Sequence, residues 1–164
     1  MRAILVMISF MIFSINCSAA IPDPEDRTIL TISGNIEKKN QDGQMHFNIA
    51  SLEKIGMESF YTSSPWYDGR NKFEGVPLNK LMDVVGAKGH VARVIALNDY
   101  VTTIPLEDFK KYPVILALKV NDKYMRIRDK GPLFIVYPYD SKSELDNQLY
   151  YSRSAWQVYK IIIQ

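Results

Sequence analysis

Residue types that carry acid–base, nucleophilic or metal chemistry are few in this chain, and they are scattered. The two histidines, His46 and His90, fall on a hairpin strand and in a Lys-Gly-His turn, with no carboxylate or second histidine at metal-ligand spacing. Ser63-Ser64 and Ser152/Ser154 have no histidine partner in a hydrolase pattern, and no G-x-S-x-G, P-loop or G-x-G-x-x-G occurs. Three polar segments do stand out, each at the end of an apolar run where a pocket can be built. The first runs from Thr62 and Ser63 through Trp66 to Gly69. The second is Asn98-Asp99-Tyr100, directly after Val94-Ile95-Ala96-Leu97. The third is Arg126-Ile127-Arg128-Asp129-Lys130-Gly131-Pro132, just before Leu133. With Arg153, these segments supply the candidate ligand-holding residues. Arg126 and Arg128, at i and i+2 on one strand edge, are expected to point to the same face. Lys130 follows on the Gly131-Pro132 turn, and together they predict a cationic concavity for a carboxylate, sulfate or phosphate group.

The elements that position these segments are legible in part. Thr28 to Ser33 alternates, and Asp42-Gly43 supplies hairpin-turn chemistry before Met45, Phe47 and Ile49. Asn48 is placed to cap a short helix carrying Leu52 and Ile55, with Gly56 ending it. Strand residues Glu58 to Tyr61 follow, and Thr62 to Glu74 reads as a long loop anchored by Trp66, Tyr67 and Phe73. Pro77 opens a helix with Leu78, Leu81, Met82 and Val85 on one face and Gly86 as its C-cap. Val91 to Leu97 and Tyr100 to Ile104 read as strands, and Pro105 starts a helix that stops before Pro113. Val114 to Val120 and Lys123 to Ile127 flank an Asn121-Asp122 turn, and Leu133 to Tyr137 and Val158 to Ile163 are further strands. About nine strands and three or four short helices define an α+β fold with mixed or antiparallel sheets.

The first twenty residues differ from the rest. Arg2 is their only charge, and Ala3 to Ile15 is an apolar run interrupted only by Ser9 and Ser14. The run is short for a bilayer span, and Ser18-Ala19-Ala20 places small residues where a signal peptidase reads. The expected product is a periplasmic or secreted single domain over residues 21–164, cleaved after Ala20. Ser14-Ile15-Asn16 before Cys17 lacks the pattern that lipoprotein processing prefers. Loss of residues 1–20 removes one positive charge and the only cysteine, leaving 19 basic and 18 acidic groups. That balance argues against a nucleic-acid partner. Thiolate metal sites, disulfides and cysteine nucleophiles are excluded from such a mature chain.

Taken together, Gly75-Val76-Pro77-Leu78-x-x-Leu81, Ala96-Leu97-Asn98-Asp99-Tyr100, Ile104-Pro105-Leu106, Leu116-Ala117-Leu118, Lys130-Gly131-Pro132-Leu133 and Trp156 with Ile161 resemble the sulfite-oxidase-type molybdopterin-binding domain in order and spacing. The similarity covers roughly residues 45 to 163 and is closest to short secreted members made of this domain alone. It implies molybdopterin in a pocket lined by the loop before the Gly-Val-Pro-Leu helix, the Asp-Tyr loop and the Gly-Pro-Leu loop. The resemblance also implies a cysteine ligand to molybdenum in the first loop, where this chain reads Tyr61-Thr62-Ser63-Ser64. The family's Gly-Asn-Arg continuation is missing, and Lys130 stands where His or Gly is common. A neutral hydroxyl is a poor ligand for a high-valent transition metal. The expectation is therefore a non-catalytic periplasmic module without cofactor, holding a small anion or a periplasmic or membrane-bound partner protein. The alternative is a molybdopterin-dependent oxidoreductase with an oxygen ligand from Ser63 or Thr62.

Overall fold

The structure, a computed structural model, describes residues 27–164. The expected signal sequence and its cleavage site lie outside the described residues. Strand β1 (Leu30–Gly34) buries Leu30 and Ile32 and returns through Asp42-Gly43, both at positive φ, to the antiparallel β2 (Met45–Phe47). Asn48 caps α1 (Ile49–Glu53): its side chain accepts from the Ser51 N–H, and the Ser51 hydroxyl accepts from the Asn48 N–H.

Next come β3 (Glu58–Ser64) and β4 (Tyr67–Pro77), paired as an antiparallel hairpin. This corrects the long loop expected over Thr62 to Glu74. The inward positions of β4 include Asn71 and Gly75 beside Phe73, so the strand does not alternate in hydropathy. Asn71 is made tolerable by donating to the carbonyls of Asp68 (3.0 Å) and Gly69 (3.2 Å) and accepting from the Asn121 amide (2.8 Å). Helix α2 (Leu78–Val85) buries the four residues expected, and Gly86 closes it in the left-handed conformation.

Strands β5 (Val91–Ala96) and β6 (Val101–Pro105) lead into α3 (Leu106–Lys111), which ends before Pro113. Strand β7 (Ile115–Val120) turns through Asn121-Asp122, at φ 48° and 64°, into a two-residue β8 (Lys123–Tyr124). The strand expected to reach Ile127 stops at Tyr124. A single turn of 3-10 helix spans Ile127–Asp129 instead, because the Arg126 carbonyl accepts from the N–H groups of Asp129 and Gly131, both at 2.8 Å. Strand β9 (Phe134–Val136), two short turns, α4 (Gln148–Arg153) and β10 (Val158–Ile163) complete the chain. Asn147 caps α4, a helix that strand and loop patterning left unassigned.

Two five-stranded sheets result, giving the expected α+β class. One is ordered β2-β1-β10-β5-β6, with β1 parallel to β10 and the other pairs antiparallel. The other is ordered β3-β4-β7-β8, with β9 also on β7. The sheets are joined at β9: Phe134 bridges Trp156, the Ile135 N–H donates to the Ala155 carbonyl (2.9 Å), and the Val158 N–H donates to the Leu133 carbonyl (3.0 Å). Phe73, Leu116, Leu118, Phe134 and Tyr137 are fully buried with Leu30, Ile32 and Ile161 in one core.

Gly75 marks the tightest crossing in that core, since a Cβ there would lie 2.1 Å from the Leu116 carbonyl oxygen and 2.4 Å from Ala117 Cα. Gly75→Ala must push β4 off β7. We expect a loss of about 3 kcal/mol, the upper end for overpacking, read as a lower urea midpoint at unchanged m-value.

Candidate functional site

Two of the three expected loops meet. The β3–β4 turn brings Trp66, and the β5–β6 turn brings Asn98 and Tyr100, to a concavity of about 260 Å³ closed by Gln148, Tyr151, Ser152 and Ser154 from α4 and its C-cap and by Trp156. Asp99 takes the positive φ (64°) that makes this turn tight, and Asn98 accepts from the Tyr100 N–H (3.2 Å). Tyr100 donates to the Ser152 carbonyl (2.7 Å), tying the turn to α4. Ser152 and Ser154 donate to the carbonyls of Leu149 and Tyr150, both at 2.8 Å. Among the described residues, the Asn98 NH2, the Gln148 amide and both indole N–H groups make no hydrogen bond. The walls are thus aromatic, the free polar groups are mostly donors, and no Lys or Arg lines the space. Trp156 came from the family resemblance, whereas the α4 residues were not assembled by sequence reasoning; Asn147 as an N-cap was the available signal.

The remaining candidates lie elsewhere. Thr62 is fully buried, and its hydroxyl donates to the Ser63 carbonyl (3.2 Å) and accepts from the Asp140 N–H (3.2 Å). Ser63 donates to the Asp140 carboxylate from its N–H (3.0 Å) and from its hydroxyl (3.4 Å), and Arg70 pairs with the same oxygen at 2.9 Å. Ser64 Oγ is buried without a hydrogen-bond partner among the described residues. Arg126 and Arg128 do not share a strand face. Both turn to Asp129, at 2.7 and 3.8 Å. Lys130, at φ 70°, sits over the Tyr67 ring at 4.8 Å. Arg153 is withdrawn into the interior, where Nη1 donates to Asp108 Oδ2 (2.8 Å) and the guanidinium lies 5.5 Å from the Tyr150 ring. The single cationic concavity expected from Arg126, Arg128 and Lys130 does not form.

Behind the pocket runs a continuous aromatic array. Trp66 lies 5.9 Å from Tyr151, Tyr151 5.2 Å from Tyr139, Tyr139 6.3 Å from Tyr137, Tyr137 5.3 Å from Tyr150, and Tyr150 5.6 Å from Tyr112. Most of its phenols have a partner: Tyr151 donates to Asp146, Tyr139 bonds Ser154, Tyr137 donates to Asp108 (2.7 Å) and Tyr112 to Glu144 (2.5 Å). Burial pushes the Tyr137 phenol far up, with Asp108 reinforcing it, and burial also raises Tyr139. The hydrogen bond to Asp146 raises Tyr151 to about 12, and that to Glu144 raises Tyr112 to about 12.

A family model described as the oxidoreductase molybdopterin-binding domain matches residues 28–140. The chain belongs to that family. Among solved structures it is similar to the sulfane dehydrogenase SoxCD from Paracoccus pantotrophus. The TM-score is 0.63 at 18% identity, over 87% of this chain and 39% of that one, so it spans well under half the length of that relative. No curated protein matches the sequence.

The residues present do not fit the metal end of that cofactor. Thr62 and Ser63, where the family resemblance places the thiolate, are neutral hydroxyls engaged with Asp140. Among the described residues no three His, Cys, Asp or Glu side chains gather at a metal site.

The phenols make the site's surroundings alkali-sensitive. A folded pKa of about 12 against an ordinary 10.0 for Tyr112 and Tyr151 means that their stabilising contribution is whole below pH 10 and is lost as pH rises to about 12. Phenolate absorbance should show these two groups titrating late, and urea midpoints should fall across that window.

Proposed function

We propose that this domain is a non-catalytic binding module that holds a small, uncharged, planar heterocycle in the pocket between Trp66, Tyr100, Tyr151 and Trp156, without bonding molybdenum. The observation that carries this reading is the lining: aromatic faces for stacking, amide and indole groups for a ring's acceptors, and no cation to match an anion. The small anion expected from sequence therefore gives way to a neutral ring. A pterin without its phosphate is the natural probe, given the family. A volume of about 260 Å³ suits one small ring system. The module works in the periplasm, a reading supported by Ser18-Ala19-Ala20 after the apolar run.

Calorimetric titration with 6-hydroxymethylpterin should show binding, and Trp156→Ala should weaken it roughly tenfold through lost stacking. Absence of binding sinks the ligand class. Metal analysis of protein produced with an intact molybdenum-cofactor pathway should find no stoichiometric molybdenum; one atom per chain overturns the non-catalytic reading. Intact mass of the exported protein should place its first residue at Ile21, and a diacylated species at Cys17 overturns the soluble periplasmic assignment.

A further inference from the structure

A second concavity, of about 530 Å³, shares no lining residue with the pocket above. Its walls are Ile29, Leu97, Met125, Ile127, Pro132 and Tyr159, and Arg27, Thr28 and Arg126 complete the lining. Leu97, Ile127 and Tyr159 are 47%, 57% and 39% exposed, so three large apolar side chains meet solvent around one hollow. Ile127 is held in this exposed position. Its carbonyl accepts from the Gln157 amide (2.7 Å), the Asp129 carbonyl accepts from the Tyr67 phenol (3.1 Å), and the Arg126 carbonyl takes two N–H groups. Gly131 permits the fold-back, since a Cβ there would lie 2.1 Å from the Met125 carbonyl oxygen. The hollow is therefore pre-shaped, which lowers the ordering cost of binding.

Arg126 supplies charge at the rim of this hollow: Nε donates to Asp129 Oδ2 (2.7 Å) in an exposed pair, while its terminal nitrogens make no hydrogen bond among the described residues. That free fork matches a carboxylate in two-point geometry, and Arg27 adds a second positive charge.

We propose that this concavity binds an amphipathic carboxylate of the fatty-acid class, its chain along Leu97, Ile127 and Tyr159 and its head group on Arg126. A purely apolar ligand leaves the guanidiniums unused, and a small inorganic anion leaves the apolar wall uncovered.

The test is calorimetry on the exported full chain with decanoate, octanoate, decanol and acetate, each below its aggregation limit. Decanoate should bind, and octanoate should bind about tenfold more weakly, as two buried methylenes require. Arg126→Gln should weaken decanoate roughly tenfold or more, and Ile127→Asp, at an exposed position, should abolish it while the circular dichroism stays native. Equal binding of acetate or of decanol, or an unaltered Arg126→Gln, overturns the proposal. So does association with phosphatidylglycerol vesicles in the absence of decanoate binding, which makes the face a membrane surface. Binding that appears only after Asp23, Glu25 and Asp26 are replaced by their amides assigns the groove to the chain's own preceding segment and equally overturns it. Titration repeated in saturating 6-hydroxymethylpterin keeps the two sites distinguishable: displacement means one shared site and defeats this proposal, whereas failure of the pterin to bind leaves the decanoate result standing.

Discussion

Strand β9 and the residues on either side of it must satisfy two sheets at once. One edge pairs with β7 through Ile115–Ala117, while Leu133, Phe134 and Ile135 bond the segment from Ala155 to Val158 that leads into β10. With no side chain of β9 exposed, every backbone group in it needs a protein partner. This seam sets the distance between the two sheets. The loops that converge on the pocket hang from strands whose separation it determines, and the 3-10 turn before it is pinned to it through the Gln157 N–H and the Lys130 carbonyl (3.1 Å).

Given that frame, the pocket between the two loops and α4 is lined by neutral groups. Nearby charges are paired within the protein: Arg153 with Asp108 in the interior, and Arg70 with Asp140 at the surface, where the Ser63 N–H donates to the same carboxylate oxygen. The Asp108 to Arg153 pair, with both side chains less than a fifth exposed, would be costly to break, because either partner alone leaves a buried charge. Tyr137 donates a second hydrogen bond to the same oxygen and ties this pair to the aromatic array. A pocket walled by such an array keeps its shape, since each ring packs against a neighbouring ring and most are held at the hydroxyl by a polar partner.

What the sequence disclosed was local. Asn48 with Ser51, the face of α2 with its Gly86 cap, and the Asn121-Asp122 turn each depend on residues a few positions apart, so spacing reveals them. The β3–β4 hairpin was hidden because two inward positions of β4 are Asn71 and Gly75. One is satisfied by Asn121 across the sheet and the other is required by the backbone of Leu116, and neither contact is visible along the chain. Arg126 and Arg128 were misplaced because strand periodicity was carried past Tyr124. The Arg126 carbonyl instead closes on Asp129 and Gly131, with Lys130 at positive φ. In the pocket, Trp66, Asn98 and Tyr100 were found from collinear loops. Gln148 and Tyr151 come from a helix too short to show a period.

The aromatic array also gives the protein an optical character of its own. Phenol rings absorb at higher energy than indole, and the tyrosines from Tyr112 to Tyr151 form an unbroken path of ring contacts ending at Trp66. Excitation absorbed anywhere along that path drains to the indole on the pocket wall, so emission from the whole tyrosine cluster is collected at the surface a ligand would cover. The molecule thereby carries a built-in antenna whose output is set by what lies against Trp66.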